Sequence, residues 1–133
     1  MKTVLLVDDD SVFLLAIGVR LKSMGYTVCT SKDAVSAVSA VRKNNPDIVV
    51  LDVSLPAGDG FLVAERLQKL PVAAATPVII ITASENPELS ERAMKAGAVA
   101  FLKKPFDAAM LANTIESSLS SPLDIRRPQA NSA

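Results

Sequence analysis

Histidine is absent from this 133-residue chain, cysteine occurs once and tryptophan not at all. Without an imidazole there is no Ser-His-Asp triad, no His-ligated zinc site and no role as a phosphohistidine donor. The single Cys29 cannot close an internal disulfide, and its place in an apolar stretch predicts a buried, inert thiol. An excess of charge of one sign is also lacking. Lys+Arg and Asp+Glu balance at 14 each, so composition offers no argument for direct nucleic-acid binding. No apolar run approaches the roughly 20 residues that cross a bilayer, and Met1-Lys2 leads into a strand rather than a signal peptide. The expectation is a cytoplasmic protein with no membrane insertion. Half of the residues are hydrophobic, enough for the body of the chain to fold, and the length suits one domain.

Three short apolar runs each end in charge. Val4-Leu5-Leu6-Val7 runs into Asp8-Asp9-Asp10, Ile48-Val49-Val50-Leu51 into Asp52, and Ala100-Phe101-Leu102 into Lys103-Lys104-Pro105-Phe106. Short apolar runs with polar boundaries are the pattern of strands buried on both faces of a parallel sheet. Ligands of such sheets bind beyond the carboxyl ends of the strands, where carboxylates and an ammonium would here gather.

Strands and helices alternate along the rest. A strand over 2–7 precedes a helix over 11–24, with Ser11 as N-cap and Gly25 as its stop. A weaker strand covers 27–30, and Asp33 caps a helix whose Ala34, Ala37, Val38 and Val41 share one face. Asn44-Asn45-Pro46 ends it. After the strand 48–51, Asp59-Gly60 opens a helix to residue 70 with Val63, Ala64 and Leu67 facing inward. The strand 78–81 is followed by a helix over 87–96, stopped by Gly97, and Asp107 caps a last helix carrying Leu111, Ile115 and Leu119. Five βα units predict a doubly wound parallel α/β sheet over residues 1–120, followed by a flexible tail over 121–133.

Carboxylates about 4 Å apart repel by about 4 kcal/mol per pair at an effective dielectric near 20. Asp8, Asp9 and Asp52 can share a pocket only if cations offset that cost. Hard oxygen donors without histidine or an available thiol select Mg²⁺, Mn²⁺ or Ca²⁺ over zinc. A carboxylate beside Mg²⁺ and a lysine suits phosphoryl transfer, and Thr82 at the end of a neighbouring strand adds a hydroxyl donor. Taken alone, the aspartate triplet also fits a solvated turn that caps a helix.

In order and spacing these segments resemble the response-regulator receiver domain of two-component signalling. The resemblance rests on Leu5 to Ser11, Val50-Leu51-Asp52-Val53-Ser54-Leu55-Pro56, Asp59-Gly60, Pro77 to Ala83, Ala96-Gly97-Ala98 and Lys103-Lys104-Pro105-Phe106, and covers residues 2–120. It implies a flavodoxin-like sheet in the order 2-1-3-4-5. Asp52 would be the phosphoacceptor, and Asp8, Asp9, Asp52 and the backbone carbonyl of Ser54 would be ligands of Mg²⁺. Thr82 would contact the phosphoryl group, and Lys104 would pair with Asp52 or its phosphate. Phe101 would be an aromatic whose rotamer, with Thr82, reports activation, and Lys104-Pro105 would be a cis peptide. Asp10 falls at a variable position of the motif and reads as solvated surface. Lys103 reads as an exposed neighbour of Lys104, although a one-residue register shift exchanges the two.

The implied function is a phosphoacceptor switch, an enzyme only toward its own Mg²⁺-dependent phosphorylation and dephosphorylation. Its partners would be a histidine kinase or phosphotransfer protein and a downstream protein target. The alternative is a phosphorylation-independent interaction module, disfavoured by the intact set of Asp8, Asp9, Asp52, Thr82 and Lys104. A phosphoaspartyl hydrolase needs a second aspartate shortly after the nucleophile, where Ser54 stands. Ser54 and Ser84, which line the phosphoryl route in this family, offer no long amide or carboxylate to position an attacking water.

The first helix is apolar almost all round. Phe13, Ile17, Leu21 and Met24 suffice to cover the sheet, leaving Val12, Leu15 and Val19 as a second stripe. That stripe either docks the kinase's histidine-bearing helices or packs against the last helix or beneath Leu123 and Ile125 of the tail.

Overall fold

Five parallel strands in the order β2-β1-β3-β4-β5 form the centre of the protein. The structure, a computed structural model, describes residues 1–54, 60–71 and 73–120. The elements are β1 (Thr3–Val7), α1 (Ser11–Ser23), β2 (Thr27–Ser31), α2 (Ala34–Asn44), β3 (Ile48–Asp52), α3 (Gly60–Lys69), β4 (Val78–Thr82), α4 (Glu88–Lys95), β5 (Ala100–Lys103) and α5 (Ala108–Ser120). Every expected strand and helix is present, with ends shifted by one or two residues. Leu55, Pro56 and Asp59 of the expected motif, and the expected tail over 121–133, lie outside the described residues.

Period-two alternation assigns each strand residue to one of two cores. Val4, Leu6, Ile48, Val50, Ile79 and Ile81 pack with α1 and α5 through Leu14, Ile17, Leu21, Leu111 and Ile115. Their neighbours Leu5, Val7, Val49, Leu51, Val78 and Ile80 pack on the other face with Ala37 and Val41 of α2, Val63, Ala64 and Leu67 of α3, and Ala93 of α4. Burial on both faces is why β1, β3 and β4 are unbroken apolar runs. Each such side chain contributes about 1.5–3 kcal/mol on removal from water.

Edge strands depart from the expected burial. β2 and β5 are the outer strands of the sheet among the described residues, so Ala100, Phe101 and Leu102 are half-buried, and so is the Cys29 thiol expected to be inert inside the core. The α1 helix also turns differently about its axis. Leu14, Ile17, Gly18 and Leu21 are its buried residues, whereas Phe13 is half-buried and Met24 exposed, because an i, i+3, i+4, i+7 face starting at Leu14 meets the sheet. Gly25 follows α1 with φ of 101°, a left-handed conformation that favours glycine, and Gly97 does the same after α4 with φ of 92°.

Tyr26, entering β2, is buried, and its hydroxyl donates a hydrogen bond to Glu116 Oε1 on α5. Burial, with the Glu116 hydrogen bond and charge adding to it, pushes the phenol from its ordinary 10.0 up to about 12. The folded chain therefore keeps a proton that the unfolded chain releases, so stability falls as pH rises from about 10 to 12. This is the chain's single tyrosine, and there is no tryptophan to obscure its absorbance. A tyrosinate titration should have its midpoint near 12 while far-ultraviolet circular dichroism remains native. A midpoint near the ordinary value with the fold intact contradicts the assignment.

Candidate functional site

Asp8 continues β1 one step beyond Val7, whose register partner on β3 is Leu51, so Asp8 comes to lie beside Asp52. Both share the parity of the residues that pack toward α1 and α5. Asp8 is fully buried and Asp52 is 5% exposed, whereas Asp9 is open to solvent. One carboxylate oxygen from each of the three lies within 4.8 Å of the others.

The surrounding donors hold these carboxylates in fixed orientations. The Asp8 backbone N–H donates to the Ser31 carbonyl of β2 at 3.0 Å. Its Oδ1 accepts the Asp10 N–H at 2.9 Å and its Oδ2 accepts Lys104 Nζ at 2.6 Å. Lys104 Nζ stands 3.6 Å from Asp52 Oδ2, so the ammonium bridges both carboxylates but leans toward Asp8. Asp52 Oδ1 accepts the Ser54 N–H at 2.9 Å. Burial raises the Asp52 carboxyl above its ordinary range. The Asp8 charge adds to this, against the opposing pull of the Ser54 N–H and Lys104.

Backbone contacts bring the remaining residues in. Thr82 is buried at the end of β4, its hydroxyl accepts the Ser84 N–H at 3.1 Å, and its carbonyl accepts the Lys104 N–H at 2.7 Å. Val53 donates to the Ile81 carbonyl at 3.2 Å and its own carbonyl accepts the Gly60 N–H at 3.2 Å, so α3 begins against the Asp52 backbone. A Cβ on Gly60 would stand 2.4 Å from the Asp52 carbonyl oxygen, which explains glycine there. The Lys104-Pro105 peptide is cis, as expected. Lys104, not Lys103, turns into the pocket, and Lys103 is exposed and pairs with Glu85. Ser54 and Ser84 are exposed at the rim, and Phe101 is half-buried against the core on the α2–α4 face.

Two sequence expectations need correction. The N-cap of α1 is Asp10 rather than Ser11, which is the first helical residue. Asp10 is exposed but not merely solvated, because its Oδ1 accepts the N–H groups of Val12 at 3.0 Å and Phe13 at 3.2 Å. An aspartate immediately before the helix was the available signal. Phe13, assigned by sequence only to the sheet-covering face, also belongs to the site. Lys104 Nζ sits 4.2 Å from its ring centroid, and Phe106 meets the ring edge-on with centroids 5.8 Å apart.

A family profile described as the response regulator receiver domain matches residues 4–116. The chain belongs to this family of two-component signalling switches, in which a phosphorylatable aspartate is inherent. It is 39% identical over 101 residues to a gliding motility regulatory protein of Myxococcus xanthus, covering 76% of this chain and 13% of that one. It spans 12–57% of the length of the curated relatives it matches. A crystal structure of a putative response regulator from Chloroflexus aurantiacus is similar at a TM-score of 0.85 and 29% identity, covering 90% of this chain and 98% of that one. The receiver domain of the sensor histidine kinase PA1611 from Pseudomonas aeruginosa, solved with magnesium coordinated in its active-site cleft, gives 0.82 and 28%, covering 90% and 98%. Among the described residues, no helix is long and apolar enough to cross a membrane.

A raised carboxyl pKa means that ionising Asp52 works against folding. Its contribution to stability declines as pH rises from the unfolded carboxyl value, about 3.9, through the raised folded value. Asp52→Asn removes that charge. In Mg²⁺-free buffer at neutral pH the variant should be more stable than wild type, on the order of 1 kcal/mol, and the gain should shrink toward pH ~4. Urea denaturation across pH measures this, and a variant less stable at neutral pH contradicts the electrostatic account.

Proposed function

We propose that Asp52 accepts a phosphoryl group from the phosphohistidine of a partner kinase or phosphotransfer protein, and that this changes the surface offered to a downstream protein. The observation that carries this reading is the approach of Asp8, Asp9 and Asp52 to within 4.8 Å of one another beside the Lys104 ammonium. Three hard carboxylates against one ammonium suit Mg²⁺, which would be held by Asp8, Asp9, Asp52 and the Ser54 backbone carbonyl. When bound, Mg²⁺ neutralises charge on the transferring phosphoryl oxygens.

The remaining work falls to the chain. A carboxylate oxygen of Asp52 attacks phosphorus in line with the departing imidazole nitrogen; a P–O bond forms and the P–N bond breaks. The Ser54 N–H on Oδ1 fixes the carboxylate's rotation. Lys104, already within 3.6 Å of Asp52 Oδ2, neutralises charge on a phosphoryl oxygen, and the Thr82 hydroxyl donates to another. Thr82 and Phe101 form the switch, the rotamer of Phe101 reporting activation.

The partner surface is the second stripe of α1. Val12, Leu15 and Val19 are 76%, 71% and 56% exposed, so the stripe is not covered by α5. Leu123 and Ile125 lie outside the described residues. The stripe runs along the helix that begins beside Asp8 and Asp9, within reach of a kinase helix presenting its histidine to Asp52.

Two experiments test the reading. Acetyl phosphate with Mg²⁺ should add one phosphoryl group by intact mass; omission of Mg²⁺ or Asp52→Asn should abolish it, and unchanged labelling of that variant refutes the acceptor. Leu15→Asp should leave stability within about 0.5 kcal/mol and acetyl phosphate labelling unchanged, while slowing transfer from the cognate kinase at least tenfold. Unaltered kinase transfer, or an unfolded variant, counts against docking on this stripe.

A further inference from the structure

Lys104 has a third neighbour besides its two carboxylates. Its Nζ lies 4.2 Å from the centroid of the Phe13 ring, inside the distance at which an ammonium is attracted to the negative face of an aromatic ring. The lysine side chain is only 18% exposed, so the attraction is poorly screened. Phe106, two residues after Lys104, stands perpendicular to Phe13 at an interplanar angle of 88° and holds the ring from another side. The Phe13 backbone is in turn fixed by the Asp10 cap, whose Oδ1 accepts the Phe13 N–H. Asp10, Phe13, Phe106 and Lys104 thus form a connected support running from the first turn of α1 to the segment after β5.

We infer that Phe13 is a positioning residue for phosphoryl transfer, its ring acting as a shelf that keeps the Lys104 ammonium at the mouth of the acid pocket. The inference rests on the reading of Asp52 as phosphoacceptor. Lys104 is bonded to Asp8 at 2.6 Å and is 3.6 Å from Asp52, so during transfer it must exchange one anionic partner for another. An attraction to a ring face has little directional preference across the face, so the ammonium can shift between oxygens without losing it. A leucine fills similar space without a ring face and leaves the long lysine stem free to adopt other rotamers. The ring does not touch the phosphoryl group; it acts through Lys104.

The test compares Phe13→Leu with Phe13→Tyr, each checked for a native circular dichroism spectrum. At saturating acetyl phosphate and Mg²⁺, Phe13→Leu should label about fivefold more slowly, and Phe13→Tyr should stay within about twofold of wild type. Mg²⁺ affinity should not fall in either, since no carboxylate of the pocket is altered and a displaced ammonium only removes positive charge from beside Asp8. The ring current of Phe13 should shift the Lys104 Hε protons upfield in wild type and Phe13→Tyr, and the shift should vanish in Phe13→Leu. Wild-type labelling rates for Phe13→Leu overturn the inference. A Phe13→Tyr variant as slow as Phe13→Leu, or Mg²⁺ affinity falling in step with rate, also overturns it by showing a packing defect. If wild type does not label at all, the acceptor reading and the positioning role fall together, and the ring-current shift then reports only a structural contact.

Discussion

The Lys104 ammonium lodged between Asp8 and Asp52 is the interaction on which the arrangement at the sheet's carboxyl edge depends. Asp8 is fully buried, and an unpaired carboxylate there would cost several kcal/mol. One ammonium nevertheless faces three carboxylates. Burial, with the Asp8 charge adding to it, raises the pKa of Asp52 despite the nearby ammonium. The fold therefore holds a charge imbalance in place, and on the proposed reading a hard cation would relieve that imbalance before a phosphoryl group enters.

What keeps the repelling groups together is the sheet. β1 and β3 are adjacent parallel strands in fixed register, so the residues after Val7 and Leu51 must be neighbours whatever their charge. Slipping the register by one residue would exchange the valines, leucines and isoleucines of a central strand between two cores packed for other side chains, a repacking cost that opposes the carboxylate repulsion. β4 and β5 deliver Thr82 and Lys104 to the same edge, and the bond from the Lys104 N–H to the Thr82 carbonyl fixes where the lysine stem departs. The hydrophobic pattern thus stabilises the electrostatic strain of the site.

Most of this was legible because it follows from short-range pattern. Val-Ile-Ile-Ile at residues 78–81 admits little besides a buried strand, and Asp8, Asp52 and Lys104 close their runs at places a parallel sheet must bring together. The features missed depend on angle rather than order. The rotation of α1 buries Leu14 and Gly18 in place of Met24, and an almost uniformly apolar helix carries no contrast from which to read that rotation. The same uniformity hid Phe13, which looks like any core residue until its ring is seen beneath Lys104. Ser11 and the aspartate triplet all offer a cap for α1, and only the backbone decides that Asp10 accepts from Val12 and Phe13. Half-burial of Cys29 and Phe101 follows from β2 and β5 being edges, as the order 2-1-3-4-5 already implies, although each run taken locally reads as core.

If the uncompensated charge at the sheet edge is the root of function, a divalent cation must relieve it measurably in the folded state. The direct measurement is the thermal unfolding midpoint of the wild-type chain with and without millimolar Mg²⁺, at fixed ionic strength, beside Asp9→Asn. Binding to the folded state alone raises the midpoint by mass action, so Mg²⁺ should stabilise wild type and give Asp9→Asn little or none of that gain. A wild-type midpoint indifferent to Mg²⁺, or an equal gain in Asp9→Asn, would contradict the account.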